Sequence, residues 1–180
     1  LAVDADGCLY VCDFDKHEVK RWKVGESTGT VVAGGNGKGV RLDQLNHPTC
    51  IFVDKEQSVY VSDWGNHRVM KWTRDAKNGI LIAGGNSFSR HPMTLQDPFG
   101  LFVDDVGTVY AADWKRHRVV RWPKGDTHGN VVVGDDKDGS EPNRFCHPMD
   151  IAFDQKGNLY VSDYSNHRVQ KFNILSANNE

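Results

Sequence analysis

Apolar residues fall in short runs of four to six, separated by clusters of turn-forming residues. Between 50 and 83 four such runs follow one another: Cys50-Ile51-Phe52-Val53, Ser58-Val59-Tyr60-Val61-Ser62, His67-Arg68-Val69-Met70-Lys71-Trp72 and Ile80-Leu81-Ile82-Ala83. Each is rich in β-branched and aromatic side chains and too short for a helix, so each is predicted as a strand. No apolar spacing of 3.6 residues competes with that reading. Asp6-Gly7, Val106-Gly107 and Lys156-Gly157 stand between the first and second runs of their units, where a tight hairpin needs positive φ. Asp63-Trp64-Gly65-Asn66 turns the chain between the second and third runs.

The pattern repeats every 50 residues. Asp4, Asp54, Asp104 and Asp154 keep that step, as do Tyr10, Tyr60, Tyr110 and Tyr160. Asp13, His17, Val19 and Trp22 begin three further series and a fourth, which ends in Phe172. Pro48, Pro98 and Pro148 complete the frame. Four antiparallel strands repeated at this interval predict an all-β chain of β-propeller blades, each burying both faces against its neighbours. About 3.5 to 4 blades are present, with units at about 1–47, 48–97, 98–147 and 148–180 of a single segment. The last unit stops just past its third strand, which suggests a piece of a larger ring; a small, imperfectly closed four-bladed ring is the alternative.

The Asp-[Trp/Tyr]-x-Asn-His-Arg-Val stretches at 63–69 and 163–169 resemble the NHL repeat. So do the Pro-x-x-[Ile/Leu]-x-[Val/Phe]-Asp runs at 48–54, 98–104 and 148–154, although Cys50 departs from the Gly or Asp expected at the third place. The likeness spans essentially the whole chain. It implies a propeller, commonly of six blades, that binds protein or RNA partners, often as the substrate-reading part of a ubiquitin ligase. A smaller branch of the family contains enzymes, including a zinc-using lyase that completes peptide amidation.

Charge alters this picture little: 22 basic and 24 acidic side chains leave a formal net charge of −2, which lowers the expectation of general nucleic-acid binding without excluding a local basic patch. No apolar run approaches the length of a membrane span. The start shows no signal peptide and no initiator Met, as if the beginning of a longer chain had been removed. Localisation stays open. Cys8, Cys12, Cys50 and Cys146 have neither zinc spacing nor a disulfide framework and read as small buried hydrophobes.

The repeat provides an internal test for function. A residue present in every unit serves the blade, whereas one that differs between units is a candidate for binding. By that test the histidines at 17, 67, 117 and 167 brace a turn, each paired with the Asp four positions earlier, and no metal role is assigned to them. No catalytic set is assigned either: Ser62-Asp63 and Ser162-Asp163 are matched by Cys12 and Ala112 elsewhere, which leaves a hydrolase triad unsupported. Asp135-Asp136-Lys137-Asp138-Gly139 lacks the spacing of a calcium loop and reads as a solvated acidic loop.

The variable residues lie in the long connections from strand four to the next strand one and in the turns between strands two and three, on one rim. The connections run from Gly35 to His47, Gly85 to Asp97 and Asp135 to His147. Flanking the recurring proline are His47 and Thr49, Asp97 and Phe99, and His147, Met149 and Asp150. Lys115 and Arg116, with Arg118, suggest a basic patch able to hold phosphate or an acidic peptide. The expected function is a binding module with a protein or peptide partner and no cofactor. A propeller lyase with a metal near His47 and His147, and RNA binding through the basic rim, are the alternatives.

Overall fold

In the computed structural model, residues 1–85 and 94–174 are described. Part of the predicted connection from Gly85 to Asp97 therefore lies outside the described residues. The described chain forms four antiparallel sheets whose strands follow one another in sequence order. The first holds β1 (Ala2–Val3), β2 (Leu9–Asp13), β3 (Glu18–Trp22) and β4 (Thr30–Gly34). The second holds β5 (Pro48–Val53), β6 (Val59–Asp63), β7 (Arg68–Trp72) and β8 (Ile80–Gly84). The third holds β9 (Pro98–Val103), β10 (Val109–Asp113), β11 (Arg118–Trp122) and β12 (Asn130–Gly134). The fourth has β13 (Pro148–Phe153), β14 (Asn158–Asp163) and β15 (Arg168–Asn173). The first strands β5, β9 and β13 pack against one another across the sheets and form the inner layer of a partial propeller of about four blades. No helix is long and apolar enough to cross a membrane among the described residues.

The alternation along each strand fills the gaps between blades rather than a single inside. One cluster joins Tyr10, Val19 and Ala33 of the first blade to Ile51, Val59, Val61, Met70 and Trp72 of the second. The next joins Tyr60, Val69 and Ala83 to Leu101, Val109, Val120 and Trp122. The third joins Tyr110, Val119 and Val133 to Ile151, Leu159 and Val161, with Phe172 packed against it. The aromatic that closes the third strand of the second, third and fourth blades thus fills the space towards the preceding blade, as its recurrence predicts. Each indole needs a bare backbone beside it: a Cβ on Gly79 would stand 2.8 Å from the Trp72 ring, and one on Gly129 would stand 2.4 Å from Trp122.

The hairpins between first and second strands match the sequence reading, with Gly7, Gly107 and Gly157 at positive φ. In the second blade Gln57 takes the same left-handed place at φ 60°. Its Nε2 donates to Asp6 Oδ2 at 2.7 Å and so ties two blades together.

Candidate binding rim

The turns between second and third strands and the connections that precede the first strands meet on one rim. A short 3-10 turn follows the second strand in the last three blades: Trp64–Asn66, Trp114–Arg116 and Tyr164–Asn166. Each ends in a histidine held in the left-handed region, at φ 54° for His67 and 51° for His117 and His167.

Buried charge anchors these turns. Asp63 is fully buried, accepts the Asn46 N–H at 2.6 Å, and also receives Asn66 Nδ2 at 2.8 Å and Arg68 Nε at 2.6 Å. Arg68 uses its remaining donors on the carbonyls of Val40, Arg41 and Gln44, while Asn66 Nδ2 also donates to Gly39 O. The Asn and Arg of the motif therefore clamp the long connection onto the turn. The fourth blade repeats this with Asp163, Asn166 and Arg168 on the carbonyls of Gly139, Ser140, Glu141 and Arg144. Burial pushes the Asp63 and Asp113 carboxyls up, against the lowering pull of these donors.

The histidines do not pair with the Asp four positions earlier, which corrects the sequence reading. His17 Nδ1 accepts the backbone N–H of His47 at 3.1 Å, and His117 Nδ1 accepts that of His147 at 3.2 Å. Asp63 and Asp163 are filled by Asn, Arg and backbone donors, Asp113 by Arg118 and backbone donors and Asp13 by Lys16, while the imidazoles of His17 and His117 reach forward to the next connection. His67 differs: its Nδ1 meets Gln96 O and stands 3.2 Å from Asp97 Oδ1. Burial lowers the pKa of both His47 and His117, with the neighbouring histidine acting in the same direction.

Above this frame the rings form a ribbon. Phe14 lies 4.6 Å from His47 and 6.1 Å from Trp64, centroid to centroid. Trp64 is 6.3 Å from Phe99, and Phe99 is 6.3 Å from Trp114. Trp114 stacks on His147 at 4.0 Å with 23° between planes. Trp64, Phe99, Trp114 and both histidines are half-buried, while Phe14 is exposed. Among the described residues the buried Trp64 Nε1–H has no hydrogen-bond partner.

The structure brings together His47, Asp97, Phe99 and His147 from the expected set. Thr49 is used internally, its Oγ1 donating to Pro98 O at 3.1 Å. Met149 is half-buried and Asp150 exposed, the latter held by a 2.8 Å bond from its N–H to Ser162 Oγ. Lys115 is exposed and Arg116 half-buried, but Arg118 does not join them. Its side chain is 1% exposed and pairs with Asp113 and Asp136, so the expected basic patch loses one member. Asp136 is thereby engaged as an ion-pair partner, as is Asp135 with Arg144. Phe14, Trp64 and Trp114 were absent from the expected set although their positions recur at the 50-residue step. All four cysteines are free thiols; Cys8 is buried, and the other three are half-buried. Burial, with Cys50 nearby, pushes the Cys12 thiol up to about 12. Among the described residues no group of three or more His, Cys, Asp or Glu is placed to hold a metal ion.

Comparison with known proteins agrees with this architecture. The NHL repeat profile matches residues 45–72 and 145–172. A protein of unknown function from Bacteroides thetaiotaomicron superposes with a TM-score of 0.74 at 22% identity, over 94% of this chain and 45% of that one. An auxiliary nutrient binding protein from the same organism gives 0.71 at 15% identity, over 93% and 45%. The virginiamycin B lyase of Staphylococcus aureus, in complex with quinupristin, gives 0.63 at 13% identity, over 96% and 54%. These likenesses establish the fold, and the chain spans about half the length of the solved structures it matches. No curated protein sequence matches it.

Proposed function

We propose that this NHL-repeat β-propeller segment is an interaction module whose aromatic rim receives a protein or peptide partner. The observation that carries the reading is the continuous ribbon Phe14–Trp64–Phe99–Trp114, flanked by His47 and His147, on the rim where the blades differ. Aromatic side chains supply large contact area at small entropic cost and dominate interface energetics. The histidines extend that surface, and burial lowers the pKa of His47, which favours its neutral form. Substrate recognition for a ubiquitin-ligase-like protein is the finer form of this reading, and it rests on the family resemblance alone.

Two other readings have less support. RNA binding would use Lys115 and Arg116 without the buried Arg118. A metal-assisted lyase would need His47 and His147 to converge, whereas each is paired with another histidine, at 4.7 Å from His17 and 5.0 Å from His117.

Selection of peptides from a random library against the purified chain tests the proposal. Selected peptides are expected to lose binding to a Trp64→Ala/Phe99→Ala/Trp114→Ala variant and to keep it with Asp54→Asn on the opposite rim. Equal binding to the rim variant would overturn the reading. A steep fall in affinity with salt, together with a preference for RNA over peptide, would favour the nucleic-acid alternative.

A further inference from the structure

The middle junction of the ribbon departs from its neighbours. In the first and third junctions the residue before the proline is a histidine packed on the aromatic of the preceding turn: His47 on Phe14 at 4.6 Å and His147 on Trp114 at 4.0 Å. Both histidines sit at positive φ, 49° and 60°. In the second junction Asp97 takes that place, and Phe99 occupies the position held by Thr49 and Met149. An acidic side chain thus takes the place that a histidine holds in the other two junctions.

Asp97 is tied to both tryptophan-bearing turns. Its Oδ1 stands 3.2 Å from Nδ1 of His67, which closes the Trp64 turn, and its carbonyl accepts the Trp114 N–H at 3.0 Å. Asp113 Oδ1 receives the Gln96 and Asp97 N–H groups at 3.2 and 3.3 Å, fixing the backbone there. Phe99 lies between the two indoles, 6.3 Å from each, with planes inclined 64° to Trp64 and 38° to Trp114. Ring faces attract cations through their quadrupole, and a carboxylate on the same rim supplies counter-charge. Burial leaves the Asp97 side chain 15% exposed and raises its pKa, against the lowering pull of His67 and Lys115. The cation–π contacts recorded among the described residues, Lys71 on Tyr60 and Lys171 on Tyr160, lie elsewhere.

We propose that Trp64, Phe99, Trp114 and Asp97 form a receptor for a cationic side chain of the partner peptide, an ammonium or guanidinium group. The inference rests on the rim reading above and adds the chemistry that the rim selects. The ring-rich flanks accept apolar neighbours of that cation, and Asp97 sets the register.

Choline and its neutral isostere 3,3-dimethyl-1-butanol are the first probes, titrated into the full chain with the indole N–H resonances observed. Choline is expected to shift Trp64 and Trp114, and the isostere to bind about 2- to 30-fold more weakly. Short peptides that differ only in carrying Lys, trimethyl-Lys, Arg or norleucine at one place then separate the cation sources. The norleucine peptide is expected to bind weakest. Asp97→Asn, which keeps size and backbone bonds, is expected to erase the difference between the Lys and norleucine peptides. Equal binding of choline and the isostere would overturn the proposal, as would an unchanged Lys preference in Asp97→Asn. If neutral peptides still lose binding on rim substitution, the interaction rim stands and only its charge selectivity fails. If no peptide responds to rim substitution, the rim reading itself fails.

Discussion

The two rims of this propeller are built from tight turns of equal economy, yet they turn different chemistry outward. On the rim between first and second strands, the recurring Asp at 4, 54, 104 and 154 turns one carboxylate oxygen back on its own hairpin. Asp104 Oδ1 accepts the N–H groups of Val106 and Thr108, and Asp154 Oδ1 those of Lys156 and Asn158. The second oxygens are also used, by Tyr160 OH on Asp154 and by Lys71 on Asp54. On the other rim the same economy is achieved below the surface, by Asp63, Asn66 and Arg68, and the aromatic next to the Asp is left free of scaffold duty. A repeat can therefore conserve the backbone role of a turn and still present an interaction surface, provided that the anchoring carboxylate is buried beneath it.

The largest expected effect lies in the anchor. Arg68→Ala removes the guanidinium partner of the buried Asp63 carboxylate and the donor to three loop carbonyls and is expected to cost about 3–5 kcal/mol in chemical denaturation. Lys115→Ala, on the exposed surface of the same rim, should stay within about 0.5 kcal/mol of the parent. Similar losses for both would remove the distinction between anchor and surface.

Trp114→Ala comes next. It is expected to weaken a selected peptide by about 2 kcal/mol, roughly 30-fold in Kd by calorimetry, as for a central aromatic of an interface. A variant that unfolds as readily as Arg68→Ala would instead make Trp114 part of the frame. On the opposite rim, Asp54→Ala removes the 2.7 Å bond from the Ser58 N–H and the 3.1 Å pair with Lys71. About 1–2 kcal/mol of stability and no peptide affinity should be lost, which denaturation and calorimetry on one sample would check.

The smallest effect concerns pH. The His117 pKa is lowered by burial and by His147, and its Nδ1 must be unprotonated to accept the His147 N–H. The unfolded chain therefore takes up a proton before the folded one as pH falls below the ordinary 6.5, and stability declines there. A series of Tm values from pH 7.5 to 5.5 should show the decline, and it should be shallower in His117→Gln.

Much of this architecture was legible in the 50-residue step. The strands of the second blade were placed within two residues, and the glycine hairpins and inter-blade aromatics fell where turn chemistry and recurrence put them. The rule that recurrent residues serve the blade also explains what was missed. Trp64 and Trp114 recur as aromatics, but recurrence alone does not distinguish a ring packed inside, as at Trp72, from one left on the rim. The useful signal is position: Trp64 directly follows the anchoring Asp in a turn, where the next residues must leave the sheet, whereas Trp72 closes a strand. The histidine's partner was illegible for a different reason. His17 and His47 are 30 residues apart, and only the folded-back connection joins them. Arg118 looked like surface charge because burial of an arginine depends on two acids, Asp113 and Asp136, that sequence proximity does not pair with it.

The rim tryptophans and the inter-blade tryptophans allow the most direct test in one sample. A selected peptide titrated into the chain should move the indole resonances of Trp64 and Trp114 in a saturable way. Trp72 and Trp122, each no more than 2% exposed between blades, should stay in place. Saturable binding that leaves Trp64 and Trp114 unmoved would contradict the assignment of the interaction surface to this rim.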